Sequence, residues 1–262
     1  MIRTKLHPIG GVESNGGIDP KWNSADNAKY NNKIKDYLAD KNSPVEFSSR
    51  RAPGGIGENK DTIEITMGKD EDGDGKIDEA GKYVLTFEDT DNNGKISNAD
   101  KVVKVMIDGK KADASIGAGA EIKQVAIARY NYNQRLEQLE KYERRQNRIA
   151  DIRDNELDEK GKLKKDSKVK VTHGDIGKAT YHLGAGIKVD VDNDVITGIT
   201  IGNTSFGNPG QKIEANKTII EGILDHIDKL INGILFVSNE QLKGIENKLD
   251  EYRNSGSNPA EN

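Results

Sequence analysis

The chain has 262 residues, of which 33% are apolar and 32% charged, with a mean hydropathy of −0.79. That balance excludes one thick core and favours long surface-rich helices, small β units and extended ends. Forty Lys and Arg against 44 Asp and Glu leave a net charge of −4, which does not favour nucleic acid as a partner, and the absence of Cys excludes disulfides, thiolate metal sites and a cysteine nucleophile.

In chain order, residues 1–57 read as a largely disordered N-terminal arm, interrupted by Pro8, Gly10, Gly11, Gly16, Gly17 and Pro20. One short helix over 25–40 would carry Tyr30, Ile34, Tyr37 and Leu38 on one face. Residues 58–112 turn to strand material at 62–67, 83–87 and 102–107, separated by acidic glycine loops. Residues 113–160 hold a long helix whose apolar positions Ile122, Val125, Tyr132, Leu136 and Leu139 form a thin stripe. Glu137–Lys141 and Glu140–Arg144 add oppositely charged i,i+4 pairs. Residues 156–170 are charged enough to be a solvated loop, and 161–210 contain a second short β segment. Ile220, Ile223, Ile227, Leu230, Ile234 and Val237 then step by three and four through a helix over 211–253, roughly 60 Å long at 1.5 Å per residue. Residues 254–262 form a polar, disordered tail. The predicted fold class is α+β, with long coiled-coil-like helices, a small β-rich calcium-binding insertion at 58–112 and a second short β segment.

The chemistry concentrates in a nineteen-residue repeat, DEDGDGKID at 70–78 over DTDNNGKIS at 89–97. Each copy spaces oxygen-bearing side chains at loop positions one, three and five: Asp70, Asp72 and Asp74, then Asp89, Asp91 and Asn93. Gly75 and Gly94 occupy position six, where the chain must turn sharply, and Lys76 and Lys95 offer backbone carbonyls at position seven. Ile77 and Ile96 would point inward and pin each loop. Ser97 at position nine could hold a water, and Asp100 closes the second loop at position twelve. The first has Gly81 there, with Asp78 at position nine, and Glu79 beside it, available to compensate. This spacing resembles the calcium loops of the EF-hand and dockerin families, without the exiting helix of an EF-hand. The resemblance implies calcium as the bound ion, with candidate ligands at Asp70, Asp72, Asp74, Lys76, Asp78, Asp89, Asp91, Asn93, Lys95, Ser97 and Asp100. Residues 61–100 carry twelve acidic residues against four lysines, a local charge of −8, so an ion would order the segment.

The stretch 179–252 resembles the C-terminal region of bacterial flagellins. It carries Tyr181-His182-Leu183-Gly184-Ala185, the alternating Ile187-Lys188-Val189-Asp190-Val191, Ile199-Thr200-Ile201-Gly202, and the helix steps Ile227-Asp228-Lys229-Leu230-Ile231 and Leu242-Lys243-Gly244-Ile245. Lys248 and Asp250 stand where that family has Arg and Glu, and residues 1–57 lack its long apolar N-terminal helix. The four histidines form no ligand pair at helical spacing, the glycine clusters at 117–119 and 184–186 lack the remainder of a phosphate loop, and no nucleophile stands beside a base. These features predict a non-enzymatic component of a bacterial surface filament, exported without a cleavable signal peptide and partnered by itself or related subunits, with no nucleic acid and no membrane. The alternatives are a calcium-binding extracellular adhesion module on a helical stalk, or a cytoplasmic calcium buffer.

Overall fold

A computed structural model describes residues 24–50, 61–74, 76–78, 80–113 and 115–255. The expected disorder of 1–23 and 256–262, and the roles assigned to Gly75 and Glu79, lie outside the described residues. The chain divides into two compact units, one formed by residues up to Tyr132 together with those from Ile245 onward, the other by Asn133–Gly244.

The first unit is built on an antiparallel meander. Strands β1 (Val45–Arg50), β2 (Thr62–Met67), β3 (Tyr83–Glu88), β4 (Lys101–Ile107) and β5 (Lys110–Lys111) pair in that order. Period-two alternation sends Ile63, Ile65 and Met67 of β2 inward, opposite Phe87, Leu85 and Tyr83 of β3. Helix α1 (Ser24–Ala39) buries Ile34 and Leu38, and its Tyr37 and Tyr30 rings lie 5.6 and 6.2 Å from that of Tyr83. Burial, reinforced by Tyr37, Tyr30 and Asp108, pushes the Tyr83 hydroxyl up to about 12. The short helix expected over 25–40 is present as α1, but the arm around it is not disordered over 41–50, where β1 supplies the edge strand of a sheet.

Two long helices contribute to both units: α2 (Ala120–Asp151) and α3 (Ile219–Ser255). In the first unit the buried Arg129 of α2 donates to the carbonyls of Asp40, Lys41 and Ser43, collecting three acceptors just past the end of α1.

The second unit holds a six-stranded antiparallel sheet. Strands β6 (Lys170–His173), β7 (Lys178–Gly184), β8 (Ile187–Asp192), β9 (Val195–Ile201) and β10 (Thr204–Ser205) lie in the order β10-β9-β8-β7-β6, and β11 (Gln211–Lys212) also pairs with β9. Its core joins Leu183, Val189, Ile196 and Ile199 to Ile149 and Ile152 and to the α3 stripe Ile220, Ile223, Leu224, Ile227 and Ile231. A π-helical turn, Ile152–Glu156, follows α2 and buries Glu156. That carboxylate accepts from Arg148 and also holds Ser167 Oγ at 2.6 Å and the Lys168 amide at 2.8 Å. The charged stretch after it is the mostly exposed loop its composition suggested, anchored at its far end by these contacts.

These findings overturn the predicted fold class. The architecture is two antiparallel sheets of five and six strands with three α-helices among the described residues, and no coiled coil. The physical reason is that a 3.6-residue apolar stripe does not specify its partner. In the second unit the α3 stripe joins the sheet core, and Val237, assigned to the helix seam, is exposed. Nor is the β-rich segment a small insertion between helices, since its sheet organises the first unit.

Candidate metal centre

The two acidic loops both begin or end at β3: the first spans 68–82 between β2 and β3, the second 89–100 between β3 and β4. They therefore sit at opposite ends of one strand and are not a facing pair.

In the second loop Asp89 and Asp100 are 2% and 0% exposed, at the end of β3 and the start of β4. One oxygen from each of Asp89, Asp91 and Asp100 lies within 4.8 Å of the others. The chain turns around them by local hydrogen bonds. Asp89 accepts the amides of Asn93 (3.1 Å) and Gly94 (2.7 Å), and Asp100 accepts those of Thr90 (2.9 Å) and Ser97 (2.7 Å). Asn93 Oδ1 accepts the Lys95 amide at 2.7 Å, and Ser97 Oγ donates to Asp91 at 3.1 Å. Gly94 has φ +70°, the left-handed turn that position six requires. Ile96 is buried.

The first loop shares the acidic spacing but not all of the contacts, since Asp70 accepts the Gly73 amide at 2.8 Å. Asp70, Asp72 and Asp74 also bring oxygens within 4.8 Å, but Asp72 and Asp74 are exposed. Asp74 accepts the Lys76 amide at 2.8 Å and pairs with Lys76 Nζ at 2.9 Å, and these contacts hold its carboxyl below the usual range. Asp78 Oδ2 accepts the Glu71 amide at 2.8 Å, the position-two contact that Asp100 makes in the second loop. Position nine thus performs the closing hydrogen bond where position twelve is glycine. Ile77 is half-buried against Gly68, where a Cβ would stand 2.5 Å from Ile77 Cγ2.

All eleven residues proposed from the sequence therefore fall in two separate loops, and the structure gathers Asp89, Asp91 and Asp100 in one and Asp70, Asp72 and Asp74 in the other. Two residues outside the proposed set brace them. Asn98 accepts from Lys123 Nζ at its carbonyl (3.1 Å) and from Gln124 Nε2 at its side chain (2.6 Å), tying the second loop to α2. Asp108, from the β4–β5 turn, accepts the Gly81 amide at 2.6 Å in the first. Asn98 carried a signal only as a turn-forming residue, and Asp108 lies 27 positions from its partner, beyond any local pattern.

No protein-family model, curated protein or solved structure matches the sequence. Among the described residues no helix is long and apolar enough to cross a membrane.

Proposed function

We propose that this protein is a non-enzymatic structural module that binds calcium at its second acidic loop through Asp89, Asp91, Asn93, the Lys95 carbonyl and Asp100. The observation that carries this reading is a charge imbalance. Asp89 and Asp100 are buried, Asp91 converges with them, and no Lys or Arg among the described residues forms an ion pair with any of the three. Burying carboxylates beside one another is costly unless a cation joins them, and all-oxygen ligand sets suit calcium. The first loop, open and partly neutralised by Lys76, is the weaker site. Without a bidentate Glu, affinity at the second loop falls at about 0.1–1 mM, which suits an extracellular setting. Titration calorimetry should register binding in that range, and Asp89→Ala should remove more of it than Asp70→Ala. Absence of heat at millimolar calcium would dispose of the reading.

The likeness of 179–252 to flagellins supports a second reading, a subunit that associates with itself or related chains in a surface filament. Phe236 and Val237 favour it, since they are 68% and 53% exposed on adjacent positions of α3. Light scattering should rise with protein concentration, and Phe236→Glu should abolish the rise. A monomer at every concentration would count against assembly.

A further inference from the structure

The second unit contains a groove that neither acidic loop touches. The segment carrying β11 and the first turns of α3 line an open cavity of about 430 Å³, within the size range of small-ligand sites. Ile213 and Leu230 supply apolar lining. The charged lining is Lys212, Glu214 and Lys217 from the β11 side and Asp225, His226 and Lys229 from α3.

Both carboxylates are already neutralised. Lys217 Nζ reaches Glu214 at 3.1 Å and Asp225 at 2.8 Å, and Arg153 adds a second ion pair to Asp225 at 3.0 Å. Lys212 and Lys229 make no ion pair among the described residues. Arg153 is shared with Asp228 at 3.2 Å, so the network as a whole, Lys212 and Lys229 included, keeps one net positive charge. The groove therefore holds two ammonium groups without an ion pair and an imidazole over an apolar base. Burial, and then the Lys229 charge, hold the His226 pKa below its ordinary value.

We propose that this groove binds a small oxyanion of the phosphate-monoester class, with Lys212 and Lys229 as counter-charges and His226 as a hydrogen-bond donor. Phosphate fits better than carboxylate because no arginine lines the groove to offer a planar fork, whereas lysines act as point charges around a tetrahedral group. A bound anion favours the imidazolium, so binding and protonation of His226 strengthen each other, and binding weakens as pH rises through the His226 midpoint.

The test is an NMR titration of the His226 ring in the full chain, in inorganic phosphate and in chloride at matched ionic strength, with His226→Gln assigning the resonance. Phosphate should raise the midpoint by about one pH unit relative to chloride, with the exposed His173 and His182 unmoved. Lys212→Met combined with Lys229→Met raises the chloride midpoint by removing a repelling charge, and it should abolish the phosphate-specific difference. Equal midpoints in phosphate and chloride, or a phosphate-specific difference that survives in the double variant, would overturn the proposal.

Discussion

Asp100→Asn is expected to leave stability within about 1 kcal/mol of the parent protein in chelator, and to fall about 1.4 kcal/mol further behind when free calcium stands tenfold above the parent's dissociation constant. Two effects oppose each other without the ion. Neutralising Asp100 relieves its repulsion with Asp89 and Asp91, whose oxygens lie within 4.8 Å. The amide, however, offers one acceptor where the carboxylate offered two, so either the Thr90 or the Ser97 amide loses its partner. With calcium present only the parent gains, because the ion binds the folded loop and the variant lacks a closing carboxylate. Denaturant unfolding in chelator and in calcium measures both differences. A loss of equal size in the two conditions would mean that Asp100 acts only as a turn acceptor, and the ion would have to be abandoned as its purpose.

The strands were legible because 62–67 alternates with period two and because acidic glycine loops bound 83–87. The long helices were legible from Ile122, Val125, Ile220 and Ile223. What covers their stripes was not, since Ile223 and Ile227 look the same in sequence whether they meet a helix or a sheet. Strand β1 was missed because Val45-Glu46-Phe47 is short, and its pairing, Val45 with Met67, is set by a partner twenty-two positions on. At the candidate metal centre, loop spacing picked out the two acidic triads that the structure gathers. It could not give their unequal burial, which follows from Asp89 and Asp100 ending and beginning central strands while Asp72 and Asp74 lie in an exposed loop. The charge of −8 over 61–100 suggested a sheet that orders only with the ion. The buried row Ile63, Ile65, Leu85 and Phe87 gives that sheet its own driving force, so ion-dependent protection from hydrogen exchange is expected at 89–100 and not across the strands.

Acid is expected to weaken the second unit chiefly through one carboxylate, although Asp225 is also held below its ordinary range by Lys217 and Arg153. Glu156 is held down to about 2 by the Arg148 guanidinium first, with Ser167 Oγ and the Lys168 amide adding to it against the opposing effect of burial. Side-chain exposure is only 13% for Arg148 and 8% for Glu156, so solvent screens the pair little. An unfolded glutamate titrates near 4.5. The contribution is therefore complete above that value and is lost as pH falls from about 4.5 towards 2, a change on the order of 3 kcal/mol. Glu156→Gln should remove it at every pH; Arg148 keeps its ion pair with Asp151 at 2.7 Å, so the cost at pH 7 should be about 3 kcal/mol and not that of an unpaired buried charge. The two proteins should then converge in stability near pH 2, where the parent carboxylate is half protonated or more. Unfolding curves followed by backbone circular dichroism at pH 7, 4 and 2 give the comparison. A constant gap across that range would show that Glu156 holds 167–169 by packing alone. A gap that closes with acid identifies the charge as what fastens the π turn to the start of β6.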